Sequence, residues 1–226
     1  MQSRSLILIG GGGHTRVLVG LLQALGAPLR GIVTSDPALL GTDVLDVPVL
    51  GLEGSVALNP AEVTLINGVG NRASREGPAL APRADLYRRY RALGFDFLPL
   101  ISPAAFVQPH VTMGEGVQIM AGAVVQPGVI IGENVIINSR ASVDHDVVIA
   151  PHAHIAPGAV LCGHVSVGEA SHIGAGAVII QGIRIGAGAV VGAGAVVTHH
   201  VPDGMMVRAA ASEQTKLLSK PATITP

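Results

Sequence analysis

The chain has 226 residues, 49% hydrophobic, 2% aromatic and 13% charged, with a formal net charge of −1 and a mean hydropathy of +0.54. A membrane span needs about 20 consecutive apolar residues and a signal-peptide core about 7 to 15; Gly186 to Val197 is broken by glycine every few residues and only four apolar residues precede Gly10, so a cytoplasmic, non-membrane protein is expected. No basic stripe with interleaved aromatics offers a nucleic-acid groove, and a single cysteine, Cys162, excludes an intrachain disulfide and a cysteine-based zinc site.

Taken in chain order, Leu6 to Ile9 reads as a short buried strand, followed by Gly10 to Gly13 and an amphipathic stretch to about Leu25. Leu29 to Thr34 reads as a second strand ending at Ser35 and Asp36, and Val47 to Leu50 and Val63 to Val69 as two more. Arg83 to Leu93 reads as a helix, beyond Pro78 and Pro82. Strands alternating with helices give an α/β domain over residues 1–100, half of a doubly wound (Rossmann-like) fold. A glycine loop between a first strand and a helix suits a phosphate, because backbone N–H groups and the helix N-terminus favour an anion. Asp36, at the end of the second strand, stands where an acid can take a ribose or base edge. The bland alternative is a tight turn and an exposed aspartate. His14 and Arg16 tip the reading toward a nucleotide diphosphate, as donors at the helix start. With one half-fold, nothing is present to place a nicotinamide.

From Ile101 to Pro202 the sequence divides into seventeen hexads without insertion or deletion. Every first position, from Ile101, Val107 and Met113 to Val191 and Val197, is aliphatic; the fifth is Ala, Val or Ile except at Ser171. Gly114, Gly132, Gly168 and Gly186 add an 18-residue grid, with Ala150 in the remaining slot. Three hexads therefore make one triangular coil of a parallel β-helix, over residues 101–202, with residues 18 apart stacked at about 4.8 Å. First and fifth positions face inward, and the grid glycines ease corners that need positive φ or close backbone approach. Residues 203–226 form a weakly patterned tail.

Eight of nine histidines lie in the hexads, most of them read as exposed prism-face residues. Metal-binding prisms of this type carry two histidines five residues apart; no pair here does, and no metal is expected. His145 is distinguished by Asp144 and Asp146 beside it, at the outward third position of its hexad. A carboxylate next to an imidazole orients it and supports the imidazolium formed when it takes a proton. Elsewhere the same trio would be a solvated surface. Gly163 stacks one coil away, which leaves a bare N–H beside His145, and a base next to such a donor is the minimum for acyl transfer. His154 is half a coil from His145. Ala175 and Ala193 form a small-residue column that leaves backbone groups open to an extended ligand, unless it is merely what the prism requires.

The hexads resemble the hexapeptide-repeat proteins, whose coils form a left-handed β-helix and whose prisms trimerise with active sites between subunits. With both halves read, the chain resembles the nucleotide-sugar acetyltransferases of that family, which include bacillosamine-pathway and perosamine N-acetyltransferases and sialic-acid O-acetyltransferases. The resemblance rests on Gly-Gly-Gly-Gly-His at 10–14, Gly70 and Asn71 with Arg75, Ile-Asn at 137–138, Val-Asp-His-Asp at 143–146 and His-Ile-Ala-Pro-Gly-Ala at 154–159. It implies His145 as general base, Asp146 as the acid that raises its basicity, and Gly163 as oxyanion donor. It implies acetyl-CoA as co-substrate at His154, Ala175 and Ala193. The nucleotide-linked amino sugar is implied at Gly12, Gly13, His14, Ser35, Asp36, Gly70 and Asn71, with Asn138 near the acceptor sugar. The expected protein is thus a homotrimeric N-acetyltransferase without a metal; the alternatives are sugar O-acetylation and a non-catalytic β-helix that binds a nucleotide sugar. Two departures stand out. Residues 207–212 replace the family's closing Gly-x-Pro-Ala-Lys, and the second strand ends Thr-Ser-Asp rather than in paired acids.

Overall fold

In the N-terminal half, buried aliphatic runs become the strands of one sheet. The computed structural model describes residues 4–74, 77–79 and 81–209. Its first elements are β1 (Ser5–Ile9), α1 (Gly13–Ala24), β2 (Leu29–Thr34), β3 (Asp43–Val44), β4 (Val47–Leu52) and β5 (Val63–Asn67). A hairpin of β6 (Arg72–Ser74) and β7 (Gly77–Ala79), α2 (Ala81–Ala92) and β8 (Asp96–Phe97) follow. The sheet order is β3-β4-β2-β1-β5-β8, parallel throughout except for β3. Strands after β1 are added first on one side of it and then on the other, so the order reverses beside β1, where open α/β sheets bind ligands. One sheet face packs Leu8, Ile32 and Ile66 against Leu18, Val19 and Leu22 of α1; the other packs Ile7, Ile9 and Leu65 against Leu86, Tyr87 and Tyr90 of α2. The hairpin was not expected from the sequence. Helix α2 begins at Ala81, ahead of the expected Arg83, because Pro82 falls in its first turn, where a missing N–H costs nothing.

The hexads form a parallel β-solenoid of eighteen two-residue strands, from Leu100–Ile101 to Met206–Val207, in three faces of seven, six and five strands. Face I begins with Leu100–Ile101, face II with Phe106–Val107 and face III with Thr112–Met113. Each next strand in a face lies three hexads further along the chain, as in Gln118↔Ile136 and His154↔His172. First positions from Ile119 onward are at most 4% exposed and form one continuous core. The first coil is less covered: Ile101, at the open end, is 37% exposed, and Val107 and Met113 are partly buried. The last coil breaks the period: Val201 bridges Ile185 alone, and Val190 pairs with Met206, short of the full three-hexad step.

Two groups of glycines stand out in the solenoid, and only one of them is on the 18-residue grid. Every fourth hexad position from His110 to Gly194 has positive φ, and seven of these fifteen residues are not glycine, among them Asn134, Asp146, His152 and His164. The grid glycines answer to space instead: a side chain at Gly132 would lie 2.6 Å from Pro151 N, and one at Gly168 2.8 Å from Ala187 Cα.

The N-terminal domain docks on face I. Gln118, outward-facing but fully buried, donates to Asn67 O at 2.8 Å. Arg83 of α2 is fully buried and donates to Asn67 O, Val69 O and Asn134 O, while Tyr87 OH bonds Glu133 at 3.1 Å. Gly168→Val should lower the chemical-denaturation midpoint by an amount equivalent to about 2 kcal/mol, the usual scale of overpacking. Gly158→Asn, at φ +68 with nothing near its Cβ direction, should cost about 1 kcal/mol or less, since Asn tolerates the left-handed region. Equal losses in the two variants would refute this division of roles.

Candidate active site

The carboxyl ends of β1, β2 and β5 meet one edge of the solenoid around a cavity of about 750 Å³. Its walls include Gly12, Gly13, His14, Ser35, Asp36, Gly70 and Asn71 from the sheet domain, and Asn138 and His154 from the solenoid. Gly10 and Gly68 let the β1 and β5 loops close on Thr15, whose hydroxyl donates to Gly68 O at 3.2 Å; a side chain at Gly10 or Gly68 would lie 2.8 or 2.7 Å from Thr15 Oγ1. Gly12 precedes α1 without any side-chain cap, and nothing lies within 4 Å of the Cβ directions of Gly12 and Gly13. The first N–H groups of the helix are thus left for an anion. Asp36 Oδ1 accepts from Ala38 N–H at 3.0 Å and caps the turn Pro37–Leu39, which fixes the carboxylate at the mouth of the cavity.

His14 does not have the electrostatic role that its position suggested. Gln118 uses its amide nitrogen on Asn67, so its oxygen accepts from His14 Nε2–H at 2.7 Å. Burial, reinforced by the positive charge of Arg83, pushes the His14 pKa down to about 4. A neutral ring with its proton on Nε2 presents Nδ1 as an acceptor, so it offers a phosphate neither charge nor a second donor. Arg16 is exposed and is not part of the cavity wall. Of the hexad histidines, His152, His154 and His172 are buried rather than exposed. The pKa of each is lowered, foremost by burial.

A second cavity, of about 990 Å³, runs along the edge between faces I and II, lined by His154, His172, Ala175 and Ala193 among others. The two cavities share Asn71, His154 and Pro157. They therefore meet within one chain.

His145, Asp146 and Gly163 line neither cavity. They follow the strands Ser142–Val143 and Val160–Leu161 of face II, at the other edge of that face. His145 Nδ1 donates to Asp146 Oδ2 at 2.9 Å, leaving Nε2 as the free acceptor. A side chain at Gly163 would lie 2.6 Å from that Nε2. The coil-to-coil bonds on either side of Gly163 use Cys162 N–H and His164 N–H, and its own N–H has no partner among the described residues. The Asp146 hydrogen bond raises the His145 pKa; the smaller desolvation effect opposes this, and the charges of Asp144 and Asp146 reinforce it. His164 stacks on Asp146, and ligand-type atoms of His145, Asp146 and His164 lie within 4.8 Å of one another. The Asp146 carboxylate lies 2.9 Å from His145 Nδ1 and 3.9 Å from His164 Nε2.

Arg83, Gln118, Asn134 and His172 did not stand out in the sequence. The outward position of Gln118 and His172 on face I was readable; that the first domain covers this face was not. Arg75 and residues 210–212 lie outside the described residues. Among the described residues, no helix is long and apolar enough to cross a membrane.

Residues 110–144 and 131–163 match the family described as bacterial transferase hexapeptide (six repeats), and residues 164–199 match the hexapeptide repeat of succinyl-transferase. No curated protein sequence matches the chain. Among solved structures it is similar to the acetyltransferase domain of PglB from Neisseria gonorrhoeae, with 39% identity over 90% of this chain and 96% of that one, and a TM-score of 0.80. It is also similar to PerB from Caulobacter crescentus, solved with CoA and GDP-perosamine, with 38% identity over 89% and 92% of the two chains and a TM-score of 0.79. WeeI from Acinetobacter baumannii is 26% identical over 90% and 96%, with a TM-score of 0.77.

The four buried histidines make stability depend on pH. Each has a folded pKa below the unfolded value of about 6.5, so its contribution is complete above that value and is lost as pH falls toward the folded pKa, about 4 for His14. The thermal midpoint should fall between pH 7 and pH 5. A midpoint that rises over this interval would contradict the neutral, buried assignment.

Proposed function

Since the chain belongs to the hexapeptide-repeat family of nucleotide-sugar acetyltransferases, we propose that it moves the acetyl group of acetyl-CoA onto the amine of a nucleotide-linked amino sugar. The observation that carries this reading is the meeting of the two cavities at His154 and Asn71. One begins at an uncapped helix N-terminus fit for a diphosphate, and the other is a long groove with a column of small residues fit for a pantetheine arm. The complexes of similar proteins support the same pairing: PglB's domain with acetyl coenzyme A, and PerB with CoA and GDP-perosamine. PerB is named a perosamine N-acetyltransferase, which favours an amine over a hydroxyl as acceptor.

The reading includes a homotrimer of threefold cyclic symmetry. His145 and Gly163 lie at one edge of face II and the cavities at the other. A cyclic interface joins two different patches of the same chain, so the edge bearing His145 closes over the groove of a neighbour. Exposed Phe106, Ile130, Val148 and Val196 supply apolar surface on faces II and III for such contacts.

In this assembly the amine attacks the thioester carbonyl carbon, and its proton passes to His145 Nε2. The Gly163 N–H donates to the oxyanion. As the tetrahedral centre collapses, the C–S bond breaks and the imidazolium returns the proton to the departing thiolate, which leaves an amide and free CoA. Asp146 stabilises the imidazolium through Nδ1–H.

Acetyl-CoA consumption with a panel of UDP-, GDP- and dTDP-linked amino sugars tests the reading; no turnover with any of them, or an active monomer by light scattering, counts against it. His145→Ala should lose roughly 100-fold or more in kcat and still bind acetyl-CoA. Because the base must be neutral and its pKa is raised, kcat/KM should fall as pH drops through a value above about 6.5. Asp146→Asn removes the largest raising contribution, so this acid limb should move to lower pH while the plateau rate falls. Asp36→Ala should raise KM for the sugar and leave that for acetyl-CoA nearly unchanged.

A further inference from the structure

Asn138 stands where the nucleotide-sugar cavity meets the acetyl-CoA groove, and its side chain is already committed to the protein. Its Oδ1 accepts from Ser139 N–H at 2.8 Å, which turns its amide nitrogen toward His154 Nε2, 3.2 Å away. An amide NH₂ can only donate, so His154 Nε2 must accept. Burial, with the neighbouring His172, His14 and Arg83, holds the His154 ring neutral, and a neutral imidazole carries one proton. That proton is on Nδ1.

The Nδ1–H is buried and has no partner among the described residues. His172 meets the ring edge-on, with centroids 4.9 Å apart at 89°, and does not relieve it, since its own Nδ1 is also without a partner. A buried donor left without an acceptor is destabilising. Here it belongs to a residue that lines the groove. The same groove contains Asn71, whose amide nitrogen and oxygen are both buried and unpartnered. Both residues also line the sugar cavity, so the unmet groups cluster where the acyl group would cross.

We propose that Asn138 is a positioning residue for the coenzyme: it locks His154 as the Nδ1–H tautomer, and that N–H donates to a carbonyl oxygen at the thioester end of acetyl-CoA. The proposal rests on the assignment of the groove to acetyl-CoA made above. It changes the role of Asn138, which acts on the coenzyme through His154 and has one N–H left for the sugar side. A carbonyl oxygen matches a neutral imidazole that has a single N–H to give.

The test uses ¹⁵N-histidine NMR of the whole protein, with the His154 signals identified by their loss in His154→Gln. Before any ligand is added, His154 Nδ1 should show the shift of a protonated ring nitrogen and Nε2 that of an unprotonated one. Asn138→Leu keeps the branching and removes the donor. It should bring in the Nε2–H tautomer and weaken acetyl-CoA binding, measured by calorimetry, by about tenfold, the usual scale for one hydrogen bond. KM for the sugar should change by a smaller factor than the affinity for acetyl-CoA. An Nε2–H tautomer in the unaltered protein overturns the proposal, as does an Asn138→Leu variant that weakens only the sugar. Neither the tautomer nor the calorimetry requires a sugar. A protein that meets both expectations but acetylates no sugar would overturn the proposed reaction and leave this assignment standing; failure to bind acetyl-CoA would overturn both.

Discussion

The candidate site depends on one constraint, the fixed three-hexad step from coil to coil. Backbone bonds such as His164 N–H to His145 O at 3.1 Å hold that register. Because the step does not drift, the chemistry of one corner is set by the residue above or below it. His145 can lie flat against its neighbour only because Gly163 has no side chain. Asp146 can lay its carboxylate over the neighbouring coil because the position below is Gly128, where a Cβ would lie 3.4 Å from Asp146 Cγ. The aliphatic interior that enforces the register contributes about 1.5–3 kcal/mol per fully buried Val, Ile or Leu, enough over the stack to hold left-handed backbone at non-glycine residues.

A second theme is neutrality among buried polar groups. Arg83 keeps its guanidinium among carbonyl oxygens instead of beside a carboxylate, and burial pulls its pKa down to about 9. The positive field it projects lowers His14 and His154 further, after burial itself. Two imidazoles on the inner wall are therefore hydrogen-bonding groups of fixed tautomer, not cations. The exposed ring of His145, beside two carboxylates, is tuned the other way. One chain thus holds histidines of both kinds, separated by the width of face II.

The solenoid was legible because its pattern is local: aliphatic first positions and small fifth positions recur hexad after hexad, and strands such as Ile136–Ile137 fall where that recurrence puts them. Leu29–Thr34 was equally plain, a buried run closed by Ser-Asp. The hairpin β6–β7 was not, since Arg72–Ser74 and Gly77–Ala79 carry neither alternation nor a strong turn signature. The closing strand Met206–Val207 was hidden because its partner Val190 does not lie a whole number of hexads before it. The partner of His14 was hidden for a different reason. The neighbours of His14 in sequence are a glycine loop, but its partner in space is Gln118, in the second coil of the solenoid. The same holds for Arg83 and Asn134, which matter only because face I is the covered face.

That covering has a consequence for where one unit ends. The α1-side core of the sheet domain includes Leu100 and Met120, which belong to the first and second coils, and the carbonyl of Asn67 is capped by Gln118 and Arg83 together. The sheet domain therefore finishes its interior with side chains that lie past its own last strand. During synthesis, the ribosome must deliver the chain through at least Met120 before that interior can close, and through Asn134 before Arg83 Nε has its acceptor. The nucleotide end of the cavity is thus assembled only after the second coil of the solenoid exists, so the two halves mature as one body and not as modules joined by a linker.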